Sequence, residues 1–481
     1  MRILMAASEC FPLIKTGGLA DVVGALPSAL KHEGADVTVL LPGFPDVLST
    51  LENKKTLAIL EIYTSNKAKL VSGNTADGIS IIALDAPEIF SFSGNPYMHE
   101  DGRDRNDNAI KFAAFSKVAA QLAAGEFTDK PFDILHAHDW QAALACAYLK
   151  AMDVDSTRSV LTIHNLAFQG VFPKETLVDL GLPKEYFHKD GLEYWGKVSY
   201  LKAGIVYSDH VTTVSPTYAL EIQSDDGGMG LGGLLKSRGK QLSGILNGID
   251  TAIWNPQSDP DIKANFSVRA ISGKLKNKIA LQKQLGLRAL KDIPLFSVVS
   301  RLTTQKGLDV LARLVDHIVA SGGQLVLLGS GDKDIENTFL AAAKKHPTEV
   351  SVQIGYDEAL AHLIQAGSDA ILIPSRFEPC GLTQLCAMRY GTVPVAARVG
   401  GLNDTIIDAN PASLAKGVAT GILFDGINEH TLSAMIDRTI DLYRDTKRWA
   451  QIRRNGLNQP VGWELSAKAY QNLYQALLHA D

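Results

Sequence analysis

Short apolar runs alternate with longer stretches in which apolar residues recur every three or four positions, and this rhythm continues through both halves of the chain. In the first half the runs Ile3 to Ala6, Val37 to Leu41, Ile79 to Leu84, Ile134 to His136, Ser159 to Ile163 and His210 to Val214 predict strands. In the second half Leu295 to Val299, Gln324 to Leu328, Ser351 to Ile354, Ala370 to Ile373, Val393 to Ala396 and Gly421 to Phe424 do the same. Strands that are apolar on both faces, spaced by helix-period segments, predict α/β architecture: two parallel sheets covered by helices on both sides. Ligands of such sheets bind beyond the carboxyl ends of strands. The loops after the apolar runs are therefore where chemistry is sought.

Three of those loops carry the residue types of an anion site. After Ile3 to Ala6 comes Lys15-Thr16-Gly17-Gly18, then a helical pattern with apolar Leu19, Val22, Val23, Leu26 and Leu30. Glycines let backbone approach a ligand, a helix start offers free N–H groups and a positive dipole end, and Lys15 adds a full charge. The run matches neither GxxxxGK[ST] nor GxGxxG, so no P-loop or dinucleotide fingerprint is implied. After Leu295 to Ser300 a loop carries Arg301 and Lys306, a fork and a point charge suited to a pyrophosphate. After Ala370 to Ile373 come Glu378, Cys380, Gly381 and Thr383, where the backbone N–H groups near Gly381, Leu382 and Thr383 form a further phosphate grip. A tight turn or a solvated basic loop is the plainer reading of each segment alone. Together they predict two phosphate-gripping loops and a carboxylate.

Composition narrows the class. At 481 residues the chain exceeds one ordinary hydrophobic core. The domains are expected at 1–247 and 248–458, divided near Gly248 in the ILNGID run, with a C-terminal helical segment at 459–481 opened by Gln459-Pro460-Val461-Gly462-Trp463. Lys plus Arg number 47 against 52 Asp plus Glu, a net charge of -5 with no basic run, which argues against nucleic acid as a partner. Cys10, Cys146, Cys380 and Cys386 have no CxxC spacing and suit a reducing compartment. The opening MRILMAASE is too short an apolar stretch for a signal peptide, and no run reaches the roughly 18 apolar residues of a membrane span. The expectation is a cytoplasmic protein with no membrane partner. Gly227 to Gly233, in DDGGMGLGG, reads as either a mobile loop near a substrate groove or a plain surface turn.

KTGGLADV, HAHDWQ at His136 to Gln141, His164-Asn165, NGID at Asn247 to Asp250, SRLTTQKG at Ser300 to Gly307 and EPCGLTQL at Glu378 to Leu385 together resemble the bacterial glycogen synthases and the plant starch synthases. The motifs fall in order along nearly the whole chain. The resemblance implies the GT-B fold: two Rossmann-like, doubly wound α/β domains facing a central cleft, with the last helix returning to the N-terminal domain. It also implies a retaining transferase that moves glucose from ADP-glucose to the non-reducing 4-hydroxyl of glycogen or another α-1,4-glucan, without a cofactor. A glucan phosphorylase-like enzyme and a UDP-glucose-using GT-B transferase are the alternatives.

On that resemblance the catalytic set is Glu378, His164, Asp139, Arg301 and Lys306. The donor is expected against Lys15, Gly18, Asn247, Arg301, Lys306, Tyr356, Cys380, Gly381, Leu382 and Thr383, and the acceptor against Asp21, Tyr97 and Asn165. Departure of a nucleoside diphosphate builds negative charge on the leaving oxygen, so Lys15, Arg301 and Lys306 are assigned to stabilise it. Glu378 and His164 are placed near the donor glucose and Asp139 near a sugar hydroxyl, while Tyr356 stacks on the base. His136, His138 and Asp139 could suggest a metal, but strand geometry sends Asp139 away from the two histidines or past the strand end, and no metal is expected. Many related GT-B transferases carry a second Glu eight positions after the first. Here that position is Cys386, so the ribose contact must differ.

Overall fold

The computed structural model describes residues 1–62, 65–92, 94–99 and 102–479. Their contacts divide the chain into two compact units, Met1–Asn247 with Trp463–Asp481, and Gly248–Gly462.

The first unit is built on a nine-stranded sheet. Its strands are β1 (Arg2–Ala6), β2 (Asp36–Pro42), β3 (Glu52–Ile62), β4 (Ser65–Asn74), β5 (Ser80–Asp85), β6 (Ile134–His138) and β7 (Arg158–Ile163). A separate small sheet follows from β8 (Val171–Phe172), β9 (Glu193–Tyr194) and β10 (Lys197–Ser199), before β11 (His210–Thr213) and β12 (Leu242–Gly244) rejoin the main one. The main order is β12-β11-β7-β6-β1-β2-β5-β4-β3. Strands β1, β2, β5, β6, β7 and β11 run parallel as the sequence predicts, and a further parallel strand, β12, is a half-buried Leu-Ser-Gly that carries no apolar run. The expectation of a wholly parallel sheet is corrected at one edge, where β3 and β4 form an antiparallel hairpin on β5. Strand β3 reads ENKKTLAILEI and is mostly exposed, so it shows no buried apolar run. Its lysines and glutamates are what keeps an open edge from pairing with another chain.

From β1 the chain winds outward through β2 and β5 on one side, and through β6, β7, β11 and β12 on the other. The winding reverses between β1 and β6, which pair directly from Ile3 opposite Ile134 to Ala6 opposite Ala137. The C-terminal helix Glu464–Leu478 belongs to this unit, packing on the helix Gly18–His32. Its buried Tyr474 hydroxyl bonds His136 Nδ1 at 2.8 Å.

The second unit holds six parallel strands: β13 (Leu295–Val299), β14 (Gln324–Gly329), β15 (Val350–Ile354), β16 (Ala370–Ile373), β17 (Val393–Ala397) and β18 (Ile422–Phe424). They are ordered β15-β14-β13-β16-β17-β18, the doubly wound order of a dinucleotide-binding fold, and the winding reverses between β13 and β16. The helix Ser272–Gln284 is tied to the amino ends of that same pair. Lys278 Nζ meets Asp369 Oδ2 at 2.7 Å and the carbonyl oxygens of Lys291 and Ile293, while Asp369 Oδ2 also accepts the Leu295 N–H at 2.9 Å. Lys274 is fully enclosed, its ammonium bonded to the carbonyls of Gln365, Ala366 and Tyr390 and to Thr392 Oγ1, and burial pushes its pKa well below the ordinary value.

The glycine-dense stretch folds as a tight turn, with the Gly227 and Gly228 N–H groups bonded to Ser224 and the helix Gly232–Ser237 following. Among the described residues no helix is long and apolar enough to cross a membrane.

A buried ion pair that loses one partner leaves an uncompensated charge, at a cost of about 3–5 kcal/mol. Asp369→Asn keeps an oxygen for the Leu295 N–H but removes the charge opposite Lys278. It is expected to lower unfolding free energy in a denaturant titration by that amount. A loss under about 1 kcal/mol would mean that the carbonyls alone hold Lys278.

Candidate active site

In each unit a group of candidate site residues follows the carboxyl ends of the two strands between which the winding reverses, while His164 and Asn165 follow β7, Asn247 follows β12 and Tyr356 follows β15. A reversal leaves a crevice, because the following segments depart in opposite directions.

In the first unit β1 leads into Ser8 and Glu9, then the Lys15-Thr16-Gly17 loop, then the helix from Gly18. Glu9 is 3% exposed and organises this turn. It accepts the Thr16 N–H, the Thr16 hydroxyl at 2.6 Å and the Tyr97 hydroxyl at 2.5 Å; Tyr97 also bonds Ser8 at 2.7 Å. Burial, then the Glu9 charge, raises the Tyr97 pKa well above its ordinary value, so the phenol stays protonated and donates. Lys15 Nζ meets Asp21 Oδ1 at 2.8 Å, from the first turn of the helix.

Next to it, β6 ends in His136-Ala137-His138, and Asp139 opens the helix Asp139–Ala151 at φ 55. Aspartate is among the few residues that enter this left-handed region readily. The two-residue period puts both imidazoles on one side, ring centroids 4.1 Å apart. His136 bonds Thr162 through Nε2 at 2.6 Å and Tyr474 through Nδ1. His138 Nδ1 meets His164 Nε2 at 2.9 Å. Asp139 Oδ1 accepts the His164 N–H at 2.7 Å, and the carboxylate also takes the Asn165 N–H. Asn165 Oδ1 in turn accepts the Ala167 N–H. Burial lowers His136 and His164 to about 3 and His138 well below its ordinary value, so all three are neutral near pH 7. Burial raises Asp139 to about 7, opposed by the two N–H groups it accepts.

In the second unit β13 leads to Arg301, which is exposed, and to Lys306 at the end of the turn Thr304–Lys306. Gly307 follows at φ 67, and a Cβ there would lie 1.8 Å from the carbonyl oxygen of Pro374, just past β16. Only glycine lets the two loops touch. Lys306 Nζ then reaches both oxygens of Glu378, at 2.7 and 2.6 Å, and Ser375 Oγ donates to Oε2 at 2.8 Å. Arg376 fastens the same two loops, forking onto Asp309 at 2.6 and 2.8 Å and bonding the Thr304 carbonyl. The segment from Glu378 lies directly on Gly400 and Gly401: the Gly401 N–H bonds the Glu378 carbonyl at 3.1 Å, and a Cβ at Gly400 would sit 2.0 Å from it. Gly381 turns the chain at φ 74 into the helix Thr383–Arg389, with Leu382 at its cap and Cys380 and Cys386 buried. The first N–H groups of a helix have no partner within it, which leaves those of Leu382 and Thr383 for an anion.

The structure thus joins Lys15 to Asp21, Asp139 to His164 and Asn165, and Lys306 to Glu378. Tyr97 is joined to the Lys15 loop through Glu9. Tyr356 stands apart, 73% exposed after the edge strand β15 and bonded to Glu358. It lies two strands from β13, roughly 10 Å at ordinary strand spacing. Asn247 is buried with its Oδ1 lacking a hydrogen-bond partner, and Gly18 is exposed at the helix start. Sequence reasoning misses Glu9, Ser375, Arg376 and the Gly400-Gly401 contact. The one available signal is Glu9 itself, a charge directly after an apolar strand. Among the described residues, the one trio with ligand atoms within 4.8 Å of one another is Asp259, Asp261 and His362. There Asp259 Oδ2 already accepts from His362 Nδ1 at 2.7 Å and from Tyr390, and His362 stacks on Trp254.

Residues 2–237 match the starch synthase catalytic domain, and residues 284–456 match glycosyl transferases group 1. Glycogen synthase of Novosphingobium aromaticivorans is 51% identical over 100% of this chain and 99% of its own. The chain belongs to the glycogen and starch synthase family. A second member, glycogen synthase of Rhodopseudomonas palustris, is 50% identical over 100% of the chain and 99% of its own length. The starch synthase IV catalytic domain of Arabidopsis thaliana, solved with ADP and acarbose bound, superposes with a TM-score of 0.90 at 34% identity, covering 100% and 99% of the two chains. Membership makes the chain a hexosyltransferase of GT-B architecture.

The raised pKa of Asp139 should be visible through pH. An acid whose folded pKa is raised binds its proton more tightly folded than unfolded, so its contribution to stability falls as pH rises from about 4 to about 7. Asp139→Asn keeps an oxygen for the His164 N–H and removes the titration. Its melting temperature should gain on the unsubstituted chain between about pH 5 and about pH 8. A pH-independent difference would put Asp139 in the ordinary carboxylate range.

Proposed function

We propose that the chain transfers glucose from ADP-glucose to the non-reducing 4-hydroxyl of an α-1,4-glucan, with retention of configuration, in the cytoplasm. The observation that carries this reading is Lys306 held against both oxygens of a buried Glu378 where the winding of the second sheet reverses. A fixed ammonium beside Arg301 and a helix start is suited to a diphosphate leaving group, whose charge grows in the transition state. Glu378 holds Lys306 in place and supplies negative charge for the oxocarbenium-like sugar. Lys15 and Gly18 supply a cation and a helix start suited to a phosphate in the first unit, and Cys380 to Thr383 do so with backbone N–H groups in the second. Asp139, through the His164 and Asn165 backbone, sets the groups that meet the glucose. Tyr97, Asn165 and Asp21 serve the acceptor, and Tyr356 and Asn247 the nucleoside. The ADP-bound starch synthase and the glycogen synthase relatives support this choice of donor and acceptor. The four cysteines are buried, and their lack of CxxC spacing suits a reducing cytoplasm.

The test is nucleotide release and chain extension with ADP-glucose or UDP-glucose plus glycogen. Extension with ADP-glucose is expected, and UDP-glucose alone as donor would overturn the assignment. Lys306→Ala and Lys15→Ala should each lower kcat/KM by roughly 100- to 1000-fold, the loss typical of one preorganised donor. Because protein cations neutralise the leaving group, EDTA should leave the rate unchanged. Activity lost to EDTA and restored by Mg²⁺ would transfer that role to a metal.

A further inference from the structure

His138 and His164 share a single hydrogen bond, between Nδ1 of the first and Nε2 of the second at 2.9 Å. Both rings are neutral, so one nitrogen carries the proton and the other accepts it. Two arrangements satisfy the contact. His138 can donate through Nδ1–H, which leaves its Nε2 a bare lone pair and puts the His164 proton on Nδ1. Alternatively His164 donates through Nε2–H, which puts the His138 proton on Nε2 and leaves His164 Nδ1 bare. The two differ at His138 Nε2, which is buried and has no hydrogen-bond partner among the described residues. An enclosed N–H without an acceptor is rarer and costlier than an unused acceptor. The first arrangement is therefore favoured.

We infer that His138 is a positioning residue: it fixes His164 as the Nδ1-protonated tautomer, so that His164 presents a hydrogen-bond donor to a hydroxyl of the donor sugar. This rests on the ADP-glucose reading for its ligand, though not for the tautomer. The surroundings hold the device rigid. Asp139 fixes the His164 backbone at 2.7 Å. His136 packs against His138 and is anchored by Thr162 and Tyr474. The solution preference of a free imidazole for the Nε2 proton is thus overruled by a neighbour two residues along the same strand as His136.

The test uses the full chain with ¹⁵N-labelled histidine, the His164 signals assigned by their absence in His164→Gln. In the ligand-free protein His164 Nδ1 should show the pyrrole-type shift and Nε2 the pyridine-type shift. His138→Phe should move the proton to Nε2. It should also lower kcat for ADP-glucose by about 10- to 100-fold, a size typical of residues that orient a ligand-contacting histidine, with KM changed less than about threefold. His138→Asn places an N–H donor near the original Nδ1 and should recover most of both effects. A pyridine-type His164 Nδ1 in the unsubstituted protein overturns the inference even if His138→Phe does not fold. So does a folded His138→Phe with full kcat. If the unsubstituted chain ignores ADP-glucose while the tautomer is as stated, it is the substrate assignment that fails.

Discussion

Lys306 against Glu378 is the contact around which the second unit's site is organised, and it survives only because its surroundings leave neither charge uncompensated. A largely buried ion pair gains little unless its geometry is good and its remaining lone pairs are satisfied. Here the ammonium lies between both carboxylate oxygens and Ser375 takes up one of them. Bringing the two loops this close needs Gly307, whose absent side chain makes room for the Pro374 carbonyl, and Arg376 as a clasp to Asp309. The Glu378 segment in turn rests on Gly400 and Gly401, where any Cβ would collide with it. Glycine is used at these contacts for closeness of backbone, and the carboxylate is aimed as a result.

The two ends of each sheet are put to different uses. At the amino ends of β13 and β16, Lys278, Asp369 and the Leu295 N–H form a closed network, and Lys274 is saturated by carbonyls and a hydroxyl nearby. On the proposed reading, the cations and N–H groups at the carboxyl ends of the same strands serve a ligand. Polar groups that are fully satisfied stiffen a core, whereas those that await a ligand cost stability until it arrives. The first unit repeats this division with different parts. The C-terminal helix closes His136 from behind through Tyr474, while His138, His164 and Asp139 extend from the strand ends.

Much of this was legible in the sequence where burial alone decides the residue type. Strands enclosed on both faces are mostly apolar, so β1, β2, β5 to β7, β13, β14 and β16 to β18 stand out, whereas the charged edge hairpin β3–β4 does not. Cations beside glycines after a strand marked Lys15, Arg301 and Lys306. What could not be read was which distant residue each polar group would meet. Glu9 is seven residues from Thr16 but 88 from Tyr97, and His136 is 338 from Tyr474. Strand alternation placed His136 and His138 on one side, and that was enough to separate Asp139 from them. It carried no information about the bond to His164, 26 residues further on.

The distribution of charge follows the chemistry proposed for it. Glycosyl transfer makes the leaving oxygen more negative and the sugar more positive at the same moment, so a site that stabilises one with cations must keep those cations from the other. The second unit carries Arg301 and Lys306 on one loop and sets Glu378 against Lys306. In the first unit Lys15 is matched by Asp21, and His136, His138 and His164 are held neutral by burial. An imidazolium at His164 would oppose a developing glucosyl cation. A neutral ring with a fixed N–H can orient a hydroxyl without that penalty. On the proposed reading, burial of the histidine column both packs the core and withholds positive charge from the sugar.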